Sequence, residues 1–355
     1  MKYRPLGRTG LHVSCLGFGA QNFGGADHPL YGKLGAIDAR TADRILGRLI
    51  DAGVNLIDTA DSYGDGAAES MLGDALRGRR HAMLLSTKVG NRTGLGANDA
   101  GLSRPHIMRS VEASLGRLGT DHIDIYFLHN FDPVADLEGV LRSCDDLVRQ
   151  GKVRHVGCSN FAAYQIERAC GIAALRQIEP LACIQAYYSL LGRDIEREVA
   201  PLAVDRSLPV IAWGALAGGF LSGKFSPTGA SAGDDARRRH FDFPPIDVER
   251  GHAIVAIAAQ IARRLEATVA QVALAWQFSR PFIASSLFGA RDEAQLEDNL
   301  KAATLELTAP DICALDEASE LTPEYPQWIF DRPMARMPGE SRNWASAMGT
   351  DKDEA

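Results

Sequence analysis

The sequence predicts a (β/α)8 barrel. Short apolar runs rich in β-branched residues alternate with longer stretches of helical period, the pattern of a parallel sheet wrapped by helices. Eight such pairs occur, each with the strand-like segment first, and eight pairs fit a closed barrel better than an open doubly wound sheet. The strand candidates lie at 14–19, 55–59, 83–89, 123–129, 153–158, 182–187, 208–213 and 283–287. Helical stretches follow at 39–52, 67–77, 104–118, 136–150, 162–175, 196–206, 268–279 and 292–302. Gly53, Gly78, Gly119 and Gly151 each end a periodic run, as a glycine just past a helix does. Ser103-Arg104-Pro105 places a capping residue ahead of a helix and a proline in its first turn.

Some segments lie outside the eight pairs. Residues 1–13 carry a Gly7-Arg8-Thr9-Gly10 turn between two short extended runs, which predicts a hairpin closing the bottom of the barrel. Residues 214–247 are rich in Gly, Ser, Asp and Pro, and a loop of that length usually serves a function. Residues 248–266 and 310–321 predict two extra helices. The expected division is a single domain over 1–321 and a Pro-rich tail over 322–355. The tail holds Tyr325, Trp328, Phe330 and Trp344. Aromatics in a terminal segment are expected to pack near the barrel mouth and add to the substrate pocket.

Composition narrows the class. With 46% hydrophobic residues in 355, a sizeable core can be buried. A net charge of −7 is poorly suited to phosphate backbones, so no nucleic-acid partner is expected. Cys15, Cys144, Cys158, Cys170, Cys183 and Cys313 show no CxxC spacing and sit in apolar stretches, as small buried hydrophobes in a reducing compartment do. No apolar run reaches the ~18 residues of a membrane span, and Met1–Gly10 has no apolar signal core. The expected location is the cytoplasm.

Barrels place catalytic groups at the C-terminal ends of their strands. Asp58 ends strand two, with Tyr63 five residues on in the loop. Lys88 ends strand three and His129 ends strand four. Neighbouring parallel strands aim all four at one spot. A lysine beside a tyrosine stabilises the phenolate, and Asp58 would keep that lysine charged despite burial. Tyr63 can then act as general acid to a carbonyl oxygen or as base to an alcohol, while His129 hydrogen-bonds the same oxygen. Singly, each has a plainer reading: a turn aspartate, a snorkelling lysine, a structural histidine, a surface tyrosine. Their joint occurrence at three adjacent strand ends favours chemistry.

Asp58-Thr59-Ala60-Asp61-Ser62-Tyr63-Gly64, followed by Glu69 and Leu72-Gly73, resembles the aldo-keto reductase signature around strand two, and Ser86-Thr87-Lys88 resembles that family's strand-three lysine. The likeness runs from Leu6-Gly7 to about Leu321. It implies the tetrad Asp58, Tyr63, Lys88 and His129 and the cofactor NADP(H), with NAD(H) possible. Gly17-Phe18-Gly19 is no Rossmann fingerprint, so the dinucleotide is expected extended across the barrel mouth.

The resemblance assigns Gly19, Ala20 and Gln21 to the cofactor site, along with Asp58. Ser159, Asn160 and Gln185 would hold the nicotinamide carboxamide. Trp213 would offer its ring a flat face, its plainer role being core packing; that of Asn160 is a helix cap. Gly214-Ala215-Leu216-Ala217-Gly218 and Lys224 would cover the pyrophosphate. Gly289 and Arg291 open the last helix, whose N-terminus attracts phosphate. Gln295, Asp298 and Asn299 would face the adenosine end. Arg291 favours NADP over NAD, although Gly289 and Gln295 stand where many relatives carry basic residues.

The implied reaction moves a hydride between the nicotinamide and a carbonyl or secondary alcohol: an aldehyde, ketone, sugar or larger cyclic alcohol. Its alternative is an NADPH-binding, redox-sensing subunit with little turnover, as in the family's channel-associated members. A metal-dependent hydrolase is disfavoured, since the nine histidines show no HxH after strand one. The partner is a small molecule. Phe23, Tyr31, Trp328 and Phe330 are candidates for lining its pocket. Neither the substrate nor the oligomeric state is readable.

Overall fold

The computed structural model describes residues 1–225, 238 and 241–330. Tyr3–Pro5 (β1) and His12–Ser14 (β2) form an antiparallel hairpin. The barrel strands are Leu16–Gly19 (β3), Leu56–Asp58 (β4), Leu84–Val89 (β5), Ile123–Leu128 (β6), Val153–Ser159 (β7), Leu181–Tyr187 (β8), Val210–Trp213 (β9) and Ile283–Phe288 (β10). They close in the order β10-β3-β4-β5-β6-β7-β8-β9, every pair parallel. The (β/α)8 expectation therefore holds.

The helices of the first six units are Ala39–Asp51 (α1), Ala67–Leu76 (α2), Arg104–Leu118 (α3), Leu137–Arg149 (α4), Ala163–Arg176 (α5) and Val199–Arg206 (α6). Val248–Arg264 (α7) is the extra amphipathic helix, followed by Val269–Gln277 (α8), Glu293–Leu300 (α9), Ala309–Ala318 (α10) and a short Gln327–Phe330 (α11) in the tail. Local chemistry explains the helix starts. Asp38, Asp136, Asp247, Thr268 and Thr308 each accept a backbone N–H from the first turn. The four expected helix-ending glycines all have positive φ. Ser103 stands at the start of α3 with Pro105 in the first turn, but its hydroxyl makes no capping bond. The proline, which needs no N–H partner there, sets that boundary.

The barrel interior is filled by side chains. Leu56, Ile125, Phe127, Cys183, Ile211, Ala284 and Leu287 pack together, and Leu6 and Val13 of the hairpin plug them from below. Phe127 needs a glycine opposite it: a Cβ on Gly157 would lie 2.3 Å from its ring. The bottom is thus closed by apolar side chains, and the C-terminal strand ends are left to line a cavity.

Phe23 is buried against Phe18 in the core, so it packs the barrel wall instead of lining the pocket. The start of the tail is fastened to the loop after β8: Arg197 donates to the carbonyl of Thr322 at 3.0 Å, and Gln327 donates to the carbonyl of Arg197 at 3.1 Å. Tyr325 and Trp328 contact each other. The side chain of Phe330 and all of Trp344 lie outside the described residues, as does much of the 214–247 loop. Among the described residues, no helix is long and apolar enough to cross a membrane. All six cysteines are free, and burial pushes the thiol of Cys144 up to about 12.

Candidate active site

A cavity of about 430 Å³ opens at the C-terminal ends of the strands. Asp58, Tyr63 and His129 line it, together with Gly19, Gln21, Ser159, Asn160, Gln185 and Trp213. Lys88 lies just beneath, 1% exposed.

Lys88 spends all its protons. Its ammonium donates to Asp58 Oδ2 at 2.5 Å, to the carbonyl of Thr59 at 2.6 Å and to Tyr63 Oη at 3.4 Å. Burial opposes the charge on Lys88, but the Asp58 carboxylate and the Tyr63 oxygen outweigh it and hold the ammonium above its ordinary range. Asp58 is itself fixed, accepting from Ser86 Oγ at 2.7 Å and Gln185 Nε2 at 2.9 Å. Tyr63 stands in a tight turn, Tyr63–Gly66, whose Gly64 and Asp65 are both left-handed. That turn swings the ring back over Lys88, 4.9 Å from Nζ to the ring centroid.

Beside this pair, His129 meets the Tyr63 ring edge-on at 5.9 Å. Burial, and then the nearby Lys88 ammonium, push the imidazole down to about 3, so it is neutral through the physiological range. A neutral imidazole next to a tyrosine hydroxyl can donate one hydrogen bond without competing for the proton. The four tetrad residues are therefore gathered as the strand order demands.

The cofactor candidates divide. Ser159 Oγ is buried, lines the cavity and has no hydrogen-bond partner among the described residues. A polar atom stranded in this way fits a ligand amide. Asn160, held at φ +58°, lies between Trp213 Nε1, which donates to it at 3.0 Å, and the carbonyl of His129, 2.9 Å from its Nδ2. Trp213 stacks on Phe243 at 5.7 Å and 10°, and leans on Tyr187. Gly214, Ala215, Leu216, Gly218 and Lys224 line the same cavity on one side, and Gly289, Arg291 and Gln295 on the other. The bare backbone at Gly289, where a Cβ would come no nearer than 3.8 Å to another group, suits a close-lying ligand.

Ala20 and Ala217 are fully buried and support the wall from behind. Asn299 is also buried, its amide reaching the carbonyl of Gly289 at 3.4 Å. Asp298 turns elsewhere: its carboxylate accepts from Thr268 Oγ1 at 3.0 Å and Gln271 Nε2 at 2.7 Å, tying α9 to the start of α8. Two backbone N–H groups at the start of α9 are also spent. Asp292 accepts the N–H of Gln295, and the Gln295 side chain accepts that of Arg291.

Sequence reasoning named neither Asn91 nor Asn130 as a site residue and reached Phe241 and Phe243 only as part of the 214–247 loop; all four line the cavity. Asn130 directly follows His129, and Asn91 comes three residues after Lys88, so proximity to tetrad members was the available signal. Of the expected lining residues, Tyr31 lines the cavity, whereas Trp328 is exposed and does not. Among the described residues, no group of three or more His, Cys, Asp or Glu side chains is placed to hold a metal ion.

A closed parallel barrel whose mouth carries a buried lysine between an aspartate and a tyrosine, with a histidine alongside, defines a class of redox barrel. Residues 15–320 match the family model described as the aldo/keto reductase family. An uncharacterized oxidoreductase of Bacillus subtilis (strain 168), YrpG, is 36% identical over 318 residues, 86% of this chain and 92% of its own. A probable voltage-gated potassium channel subunit beta of Arabidopsis thaliana is 34% identical over 317 residues, 85% of this chain and 91% of its own. The aldo-keto reductase YhdN of B. subtilis is 32% identical over 305 residues, 84% and 87% respectively. The chain belongs to the aldo/keto reductase family, a family of oxidoreductases.

Proposed function

We propose that this chain is an NADP(H)-dependent carbonyl reductase, or secondary-alcohol dehydrogenase in reverse, acting in the cytoplasm on a small aldehyde, ketone, sugar or cyclic alcohol. The observation that carries the reading is the Lys88 ammonium held between Asp58 and Tyr63 Oη at the cavity wall. Bound nicotinamide would supply or accept the hydride. Ser159, Asn160 and Gln185 would hold its carboxamide, the 214–218 backbone and Lys224 its pyrophosphate, and Gly289, Arg291 and Gln295 its adenosine end. Tyr63 gives its proton to the substrate oxygen while Lys88 steadies the phenolate left behind. His129 orients that oxygen with a second hydrogen bond. We also assign the chemistry to residues 1–321 and a share of the pocket rim to the tail, whose start is fastened to Arg197 in the loop after β8.

The test is turnover: NADPH consumption with a panel of aldehydes and ketones. Tyr63→Phe should cut kcat by about 10²-fold or more and leave NADPH affinity nearly unchanged. A variant that keeps most of its turnover removes Tyr63 from the chemistry. A second reading, an NADPH-binding sensor subunit, is favoured by the Arabidopsis relative's name. Tight NADPH binding with no turnover on any carbonyl would select it.

A further inference from the structure

We infer that Asn91 and Asn130 are positioning residues that set the tautomer of His129, leaving the imidazole proton on Nε2, where it can meet a substrate oxygen. The tautomer follows from hydrogen bonding alone; only its kinetic consequence rests on the carbonyl-reductase reading.

A neutral imidazole has one proton and two nitrogens, and the partner of one nitrogen decides where the proton sits. Nδ1 of His129 lies 3.2 Å from Asn91 Nδ2. An asparagine amide presents a donor or an acceptor according to which way it is turned, so the tautomer depends on what orients Asn91. A chain of amides does so, and it starts at two groups whose roles cannot change. The indole N–H of Trp213 only donates, and it points at Asn160 Oδ1, 3.0 Å away. The backbone carbonyl of His129 only accepts, 2.9 Å from Asn160 Nδ2. Together they leave the Asn160 amide one orientation.

The rest follows in order. Asn160 Nδ2 also donates to Asn130 Oδ1 at 3.3 Å. Asn130 must then turn its Nδ2 outward, and it donates to Asn91 Oδ1 at 2.7 Å. With its oxygen taken, Asn91 turns its NH2 toward His129 Nδ1, and its second proton finds Ser62 Oγ at 3.4 Å. Reversing any one amide would set donor against donor or oxygen against oxygen. Nδ1 is therefore the acceptor and Nε2 carries the proton. Asn160 keeps one lone pair on Oδ1, so a carboxamide N–H can still bind there without breaking the chain.

The experiment is long-range 1H–15N correlation of uniformly 15N-histidine-labelled protein, with His129→Gln to identify the His129 signals. The parent should show a protonated Nε2 and a bare Nδ1. Asn91→Asp keeps the shape but puts an acceptor opposite Nδ1, so the proton should move to Nδ1 at neutral pH. Its kcat should fall about tenfold, the effect of one lost hydrogen bond to the reacting oxygen, with NADPH affinity unchanged. Lys88 and Tyr63 are the titratable groups beside the ring. On lowering the pH the variant should regain activity as the ring takes a second proton and restores Nε2–H, a limb absent from the parent profile. Asn130→Ala, which frees Asn91 to turn, should give a mixture of tautomers and guards against misfolding of the first variant. A parent with Nδ1–H, or an Asn91→Asp protein that folds and retains Nε2–H with a bare Nδ1 and parental kcat, overturns the inference. A parent with the expected tautomer but no turnover on any carbonyl would instead refute the proposed function.

Discussion

Replacing Lys88 with methionine keeps most of the length of the side chain and deletes the charge at the centre of the site. The cost can be worked from the contacts. Asp58 and Lys88 are both buried, with side chains 5% and 1% exposed. Without the ammonium, the Asp58 carboxylate retains only Ser86 and Gln185, and the carbonyl of Thr59 loses its side-chain donor. Removing one partner of a buried ion pair costs about 3–5 kcal/mol. At about 2.1 cal/mol/K of unfolding entropy per residue, a chain of 355 residues would lose roughly 4–7 °C in Tm.

The double variant Lys88→Met, Asp58→Asn should recover most of that loss. An asparagine oxygen can still accept from Ser86 and Gln185, while the stranded charge is gone. Activity should not return, because Tyr63 still lacks its cation; both variants should fall by about 10²-fold or more in kcat. Calorimetry on the three proteins, with parallel kinetics, checks both halves. The reasoning fails if Lys88→Met is as stable as the parent, or if the double variant is no more stable than the single one.

Two further predictions concern the flanks of the site. Arg291→Ala should weaken NADPH binding about tenfold, the worth of one charge-assisted phosphate contact, and leave NADH binding nearly unchanged; fluorescence titration decides it, and equal NADPH and NADH affinities in the parent would refute this assignment of the adenosine end. Asp61 lies buried behind the tetrad, and neither carboxylate oxygen has a partner among the described residues. Burial, and next the Glu69 carboxylate, raise it to about 8, against the pull of Arg117 and Lys88. The folded chain thus holds a proton that the unfolded chain releases near pH ~4. The contribution of Asp61 to stability should be full below about pH 4, decline as pH rises, and level off above about pH 8. Asn at this position has no proton to lose, so Asp61→Asn should gain on the parent between about pH 5 and about pH 8.5 in urea midpoints. Parallel curves for the two proteins would show that Asp61 is not the group titrating.

What the sequence determined by itself was what is local along the chain. Strand and helix periods of two and 3.6 residues, glycines past helix ends and the polar residue closing each apolar run are written in consecutive positions, and they were enough for the barrel and for placing Asp58, Lys88 and His129 at strand ends, with Tyr63 read from the loop after Asp58. The tertiary structure alone decided what is lateral. Asn91, Asn130, Asn160 and Trp213 come from four different strand ends, and only strand register and the bend of each loop bring their amides within hydrogen-bond reach. Asp298 shows the same limit from the other side. The family resemblance points it at the cofactor, but Thr268 and Gln271 on the neighbouring helix offer two donors, and a partly buried carboxylate turns toward the donors it can reach. Periodicity tells which face of an element is inward, while the partner a polar group finds there is a property of the packed neighbours.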